Sequence, residues 1–257
     1  MQTFAKQQRI VAREEARNCL NAKGNRLLLI LGILSCILAT IALSIAVDSI
    51  FVALNLHSRL GNAVAALCAG SVRFLLFYFL AFPLYLGVVS VSGKLSRGEQ
   101  ADFFSFFEWY RSFRMLWRAW RIQIRVLWAA FPFLAISALR YMTYFHQFPE
   151  LEYAATAILT SALAPILIWA FFSTGRMLLF VRLAVRDEEH SLRSIGKRTA
   201  RLAKGNMVSV NLLRLRCWGE LALSLLSIGV VTLMHSLPMS LLVGDRILIQ
   251  LEQNNNQ

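Results

Sequence analysis

Apolar and polar residues alternate along this chain in long blocks, and the apolar blocks are long enough to cross a membrane. Residues 27–47 form a run of 21 positions without a charged side chain, which is sufficient for a hydrocarbon core of roughly 30 Å. Further apolar runs follow at 72–91, 122–139, 154–185 and 218–237. The pattern predicts an all-α fold: a membrane helical bundle of about five transmembrane helices, in one multi-pass domain over 27–250.

The last apolar segment has two interpretations. Residues 207–217 can approach the membrane and lead into one span at 218–237, or 207–242 can form a tight hairpin of two spans. One span is favoured, because Arg214, Arg216 and Glu220 would lie too deep in the hairpin. The flanking segments are predicted to be a basic cytoplasmic segment over 1–26 and a disordered tail over 251–257.

Residues 103–121, between the second and third spans, are predicted to form an interfacial amphipathic helix. Half of the side chains from 103 to 120 are aromatic. At roughly 100° per residue, five arginines share an arc of about 80°. They are Arg111, Arg114, Arg118, Arg121 and Arg125. This pattern is typical of a helix in the membrane surface whose arginines lie level with lipid head groups, so these five are candidate head-group ligands.

The charge distribution favours a membrane protein over a nucleic-acid-binding protein. The net charge is +13, yet only 16% of residues are charged and 57% are hydrophobic. Basic residues lie in short segments between apolar runs, whereas a nucleic-acid-binding domain concentrates them on a soluble core. Lys plus Arg number six in each of 1–26, 93–121 and 186–206, and one in each of 48–62, 140–152 and 244–257. The positive-inside rule therefore places the N-terminus in the cytoplasm and the C-terminus outside.

Two segments of the chain are similar to each other. Residues 17–25 and 198–206 both end in the letters AKGN, and both carry an arginine five residues before the alanine. A basic surface helix that ends at glycine, which supplies a left-handed cap, would explain both. We expect the two segments to share this structural role, with coincidence between two stop signals as the alternative.

The chain resembles a known group of bacterial membrane proteins. The resemblance is carried by AKGN at 22–25, by GEQADFFSFFEWYRSF at 98–113, and by the run from KRTARLAKGN to LLSIGVV over 197–231. On these segments the chain is similar to the multi-pass membrane protein family of unknown function numbered nine-seven-five, found largely in Firmicutes. The resemblance implies a location in the bacterial cell membrane and no assigned activity.

Motifs for catalysis or cofactor binding are absent from the sequence. There is no Walker-type phosphate loop, no GxSxG motif and no HExxH motif, so neither an enzyme nor a cofactor nor a metal site is predicted. The acidic triplet at 187–189 could bind a cation, but it lies beside basic residues and is interpreted as a solvated loop. The four histidines, at positions 57, 146, 190 and 235, are scattered along the chain.

Glu220 is the one carboxylate predicted to enter the hydrocarbon region. Arg216 lies one helical turn earlier, so the two can form an intramembrane ion pair. The sharper alternative is that Glu220 lines a polar path through the membrane.

Three functions are consistent with these patterns. The first is a non-enzymatic membrane protein with a basic cytoplasmic face that binds phospholipids, anionic ones preferred, and that associates with itself or with another membrane protein. The second is a small transporter or exporter component with its path near Glu220. The third, a lipid-acting enzyme, is the weakest, since no nucleophile or acid–base pair can be assembled.

Overall fold

The described part of the chain is helical. The computed structural model describes residues 6–22, 24–56, 62–144, 173, 175–208, 210–212 and 237–256. Its helices are α1 (Lys6–Asn21), α2 (Asn25–Ala53), α3 (Asn62–Leu76), a π-helical turn (Phe77–Ala81), α4 (Phe82–Ser96), a 3-10 helix (Phe103–Tyr110), α5 (Phe113–Tyr144), α6 (175–186), α7 (Leu192–Ala203) and α8 (Leu237–Asn256). The prediction of an all-α fold is therefore confirmed for the residues that the structure describes.

Two of the helices described are long and apolar enough to cross a membrane. The first is α2, which contains the predicted span 27–47, and the second runs from Cys68 to Ser96, which contains the predicted span 72–91. In α2 only 11% of the most apolar window is buried inside the protein, against 50% in the second helix. Large aliphatic side chains such as Leu38 and Ile45 are therefore exposed all along α2, and water is a poor solvent for such a surface.

The remaining predicted spans are only partly covered. Residues 122–139 lie within α5, but its side chains from 129 onward are outside the described residues. Most of the predicted span 154–185 is also outside the described residues, although its end lies in α6. Of the predicted span 218–237, only Leu237 is described. A bundle of about five spans therefore stays a prediction.

Pro83 marks an irregular turn inside the second candidate span, where a kink is expected. Proline has no N–H to donate to the carbonyl four residues earlier, which here is that of Phe79. The chain forms a π-helical turn over Phe77–Ala81 directly before this position. Trp120 Nε1 of α5 donates to the Phe79 carbonyl at 3.4 Å, and Tyr110 Oη donates to the next carbonyl, that of Leu80. Aromatic side chains from outside the helix thus satisfy carbonyls at the turn.

The predicted interfacial helix over 103–121 is not one continuous helix. Residues Phe103–Tyr110 form a 3-10 helix, which Asp102 caps by accepting from Ser105 N at 3.0 Å, and α5 begins only at Phe113. Phe106 is completely buried. A Cβ atom on Gly87 would lie 2.0 Å from the Phe106 carbonyl oxygen, and one on Gly32 would lie 2.5 Å from the Phe106 ring. Phe106 therefore inserts between α2 and α4, whereas Phe104 on the same 3-10 helix is exposed.

The C-terminal segment is a helix packed against the N-terminal helix, which corrects the prediction of a disordered tail. α1 buries Ala12, Ala16 and Leu20, spaced four residues apart, and Arg246 of α8 forms an ion pair with Glu15 at 3.3 Å. Residues 251–256 of the predicted disordered tail are helical, because α8 continues to Asn256 with Leu251 buried, while Gln257 is outside the described residues.

The placement of the C-terminus outside stays a prediction. The contact of α1 with α8 favours the opposite arrangement, with both helices on one side of the membrane and an even number of crossings. Residues 213–236 are outside the described residues, so the choice between one span and a hairpin over 207–242 stays open.

The two AKGN segments form matching turns, as expected. Gly24 and Gly205 have φ values of 88° and 81°. In both turns the asparagine N–H donates to the alanine carbonyl three residues earlier, at 3.2 Å for Asn25 and 3.1 Å for Asn206. Because only glycine adopts this conformation without strain, the shared letters reflect a shared local structure.

We expect Gly87→Ala to destabilise the protein and Gly70→Ala to leave it unchanged. The added methyl group at 87 would overlap the Phe106 carbonyl, whereas nothing lies within 4 Å at 70. Overpacking typically costs about 1–3 kcal/mol, and contact with backbone favours the upper end. Thermal unfolding in detergent should show a lower midpoint for Gly87→Ala alone. Equal midpoints for the two variants would contradict the packing of Phe106 against α4.

We also expect the two termini to lie on one side of the membrane. A fluorescent protein that matures only in the cytoplasm, fused before Met1 or after Gln257, should give the same result at both ends. A fusion to a chain truncated after Leu56 provides the control, since it follows α2 and should report the opposite side. Opposite results at the two ends of the full chain would contradict the packing of α1 against α8.

Candidate functional site

The structure divides the five predicted head-group ligands into two sets. Arg111, Arg114 and Arg121 are exposed. Arg118 and Arg125 are partly buried, and both donate hydrogen bonds to backbone carbonyls of a neighbouring segment. Part of the donor capacity of Arg118 and of Arg125 is thus used within the protein, and the prediction that all five arginines bind lipid head groups stays a prediction.

Arg118 binds the carbonyl-rich end of α6. It donates to the carbonyl oxygens of Ala184 at 3.2 Å, Asp187 at 2.8 Å and His190 at 3.1 Å. The last carbonyls of a helix have no partner within the helix and carry partial negative charge. A guanidinium group with several N–H donors satisfies them together, so Arg118 fixes α5 to the loop that joins α6 and α7.

Arg125 binds the beginning of α7. Its Nη1 donates to the Leu192 carbonyl at 2.5 Å, and its guanidinium carbon lies 5.7 Å from the centre of the Phe180 ring. A Cβ atom on Gly196 would lie 3.4 Å from the same Nη1, so the absence of a side chain there leaves space for the guanidinium. Arg125 therefore lies between α5, α6 and α7.

A cavity of about 760 Å³ opens beside Arg125. Its described lining consists of three basic side chains, several apolar ones and a few small residues: Arg125, Ser173, Arg176, Met177, Phe180, Gly196, Thr199, Ala200, Ala203, Lys204 and Met207. The volume lies within the range of roughly 300–1,000 Å³ that is typical of small-molecule sites. Sequence reasoning missed this cavity, since its residues come from three separate helices.

Exposed aromatic residues surround the exposed arginines. Phe104 is 78% exposed, Phe113 72% and Trp117 53%, and Trp128 further along α5 is 71% exposed. Four large aromatic rings at such exposure are unusual on a surface that faces water. Aromatic rings and arginines are enriched together where a protein meets the membrane–water interface.

A buried ion pair, also missed by the sequence analysis, connects three helices. Arg182 Nε of α6 lies 2.9 Å from Asp245 Oδ1 of α8, and the two side chains are only 3% and 7% exposed. Ser92 Oγ of α4 donates to the other oxygen of Asp245, and Arg182 Nη2 donates to the Leu241 carbonyl at 2.8 Å. Burial raises the pKa of Asp245 above its ordinary value, and Arg182 and Ser92 only partly oppose this shift.

A glycine makes room for this ion pair. A Cβ atom on Gly244 would lie 2.2 Å from Arg182 Nη2, so the guanidinium lies directly against the backbone of α8. Asp245 next to a glycine in an apolar part of α8 was the available signal in the sequence, but it did not indicate which residue is its partner.

A second, more exposed ion-pair network lies nearby. Glu252 of α8 pairs with Arg186 and with Arg198, and Arg198 also pairs with Asp187 at 2.8 Å. Glu252 and Asp187 together raise the pKa of Arg186. Within the acidic triplet at 187–189, Asp187 is only 14% exposed and pairs with Arg186 and Arg198, whereas Glu188 and Glu189 are exposed. Among the described residues, no group of three or more His, Cys, Asp or Glu side chains could hold a metal ion.

Other predicted residues lie elsewhere. Arg216 and Glu220, the predicted intramembrane ion pair, are outside the described residues. Of the four histidines only His190 is described, and it is exposed in the loop between α6 and α7.

Comparisons with known proteins found no match: no family model, no curated protein and no solved structure is similar to this chain. The resemblance to the family numbered nine-seven-five therefore stays a prediction.

We expect loss of one member of the buried ion pair to be costly and loss of both to be tolerated. Asp245→Ala leaves the Arg182 guanidinium buried without its counter-charge, which typically costs about 3–5 kcal/mol. The double variant Arg182→Met, Asp245→Leu removes both charges and should recover most of the unfolding midpoint measured in detergent.

The exposed pair of Arg97 and Glu99, whose side chains are 33% and 49% exposed, supplies the control. Glu99→Gln should change the free energy of unfolding by only about 0–1 kcal/mol. A single variant Asp245→Ala as stable as Glu99→Gln would show that the buried pair does not hold α6, α8 and α4 together.

Proposed function

We propose that this chain is a non-enzymatic, multi-pass protein of the bacterial cell membrane whose basic face binds anionic phospholipid at the cytoplasmic surface. The observation that carries the proposal is the joint exposure of Arg111, Arg114 and Arg121 with the rings of Phe113 and Trp117. Exposed cations and exposed aromatic rings on one segment support a location at the head-group level.

The surrounding charge supports the cytoplasmic side. The basic segments 1–26, 93–121 and 186–206 carry eighteen of the Lys and Arg residues. At about 1 kcal/mol per basic residue near an anionic leaflet, a fraction of these charges would hold this face to phospholipid. The contact of α1 with α8, and the ion pairs of α8 with Arg186 and Arg198, are consistent with these segments lying on one side.

The two candidate spans support the membrane location. α2 exposes apolar side chains over most of its length. The helix from Cys68 to Ser96 contains the π-helical turn, and Trp120 of α5 packs against Phe79 in that turn. The start of α5 is thereby held beside a candidate span. This contact supports a position of Arg111, Arg114 and Arg121 within reach of lipid head groups.

We expect the triple variant Arg111→Gln, Arg114→Gln, Arg121→Gln to lose its preference for anionic lipid. The full protein would be reconstituted in nanodiscs, and its tryptophan fluorescence would be quenched with brominated phosphatidylglycerol or brominated phosphatidylcholine. Trp117 and Trp128 are exposed enough to report the adjacent lipid. The wild-type preference for phosphatidylglycerol should fall by about fivefold or more, given roughly 1 kcal/mol per arginine.

Three exposed cations on α7 supply a control of equal charge: Arg193→Gln, Lys197→Gln, Arg201→Gln. This variant should retain the preference reported at the tryptophans. Equal quenching of the wild-type protein by the two brominated lipids would contradict the proposed electrostatic attachment.

A further inference from the structure

The cavity beside Arg125 has two properties that the proposed surface attachment does not explain. Its described basic residues have no acidic partner within the cavity, and the rest of its described lining is mainly apolar. We propose that this cavity is a binding site for one molecule of anionic phospholipid. The phosphate would lie among Arg125, Arg176 and Lys204, and an acyl chain would lie along Met177, Phe180 and Met207.

The charge of the cavity favours an anion. Among its described lining residues there are three cations and no Asp or Glu. The side chains of Arg176 and Lys204 are exposed and form no ion pair or hydrogen bond with the residues that the structure describes. Arg125 donates through Nη1 to Leu192 and leaves its other terminal nitrogen without a hydrogen bond to a described residue. An arginine can therefore still donate to a phosphate oxygen, as this group commonly does.

The apolar part of the cavity favours an acyl chain over a purely polar ligand. Met177, Phe180, Ala200, Ala203 and Met207 supply a lining of methyl, thioether and aromatic groups. The Thr199 hydroxyl already donates to the Ile195 carbonyl at 2.8 Å. A sugar or a nucleoside is a poorer fit, because it needs several hydrogen-bond partners besides cations. Free phosphate is also a poorer fit, because it would make no contact with the apolar lining and would fill little of the 760 Å³.

The position of the cavity suits a lipid. Arg125 lies just inside the beginning of the predicted third span, and α7 is one of the basic segments predicted on the cytoplasmic side. A phosphate at this level would be at the membrane surface while its acyl chain enters the apolar region. The inference rests on the proposed function for the membrane location, but it uses cations other than the exposed arginines of α5.

The test measures lipid retention by the full-length protein in detergent. Native mass spectrometry would follow titrations with phosphatidylglycerol, phosphatidylcholine or inorganic phosphate, together with the thermal midpoint in each. Retention of one phosphatidylglycerol molecule is expected. The variant Arg176→Gln, Lys204→Gln should bind it about tenfold more weakly or worse, since each charge contributes roughly 1 kcal/mol near a lipid phosphate.

Two further variants separate this site from general charge and from misfolding. Ala200→Phe fills the apolar part without changing charge and should also weaken retention. Arg193→Gln, Arg201→Gln removes two exposed cations of α7 outside the cavity and should retain the lipid. Circular dichroism and the thermal midpoint measured without added lipid establish whether each variant is folded. If Ala200→Phe fails to fold, the lipid retention of the folded variant Arg176→Gln, Lys204→Gln decides the test.

Three outcomes would overturn the proposal: unchanged retention in the folded cavity variants, equal retention of phosphatidylcholine, or equal stabilisation by inorganic phosphate. These results leave the proposed surface attachment intact if the quenching preference still depends on Arg111, Arg114 and Arg121. The opposite result is also informative. If the cavity variants lose the bound lipid while the quenching preference does not depend on those three arginines, the cavity site is supported and the surface attachment is rejected.

Discussion

The need to pair a buried charge determines how the described helices meet. Arg182 and Asp245 are both nearly inaccessible, and an isolated charge in such a place is strongly unfavourable. The pair therefore brings α6 against α8, and the Ser92 hydroxyl adds α4 to the same point. Since α8 also packs along α1, this contact connects α1, α8 and α6 with one end of the second candidate span.

Features determined by local sequence could be predicted. The uncharged stretch at 27–47 predicted α2 because a span depends on the length and polarity of one segment. Likewise, AKGN predicted the turns at Gly24 and Gly205 because a left-handed cap depends on a few adjacent residues. The Arg182–Asp245 pair could not be predicted, since nothing near Asp245 in the sequence indicates a partner in a distant helix. The same reason made 251–257 look like a disordered tail although Leu251 is buried.

The arginine spacing on α5 shows where periodicity stops being informative. Spacing of three and four residues places all five arginines on one face, but it does not say what that face contacts. Arg118 and Arg125 meet the carbonyls of Asp187 and Leu192, whereas Arg121, between them, is exposed. Phe106 is a similar case, because its buried ring lies against Gly32 in another helix. Aromatic residues in an amphipathic pattern suit an interface or a core equally well.

Arg125 connects the fold to the cavity. Its bond to the Leu192 carbonyl holds the first turn of α7 against α5, and its ring contact with Phe180 holds α6 at the same point. Because the same guanidinium lines the cavity, the group that would meet a phosphate is one whose position the three helices already determine. Binding then needs little reordering of that side chain, and a preorganised cation loses less entropy on binding than a mobile one. Arg176 and Lys204, which are exposed, would bear most of the ordering cost.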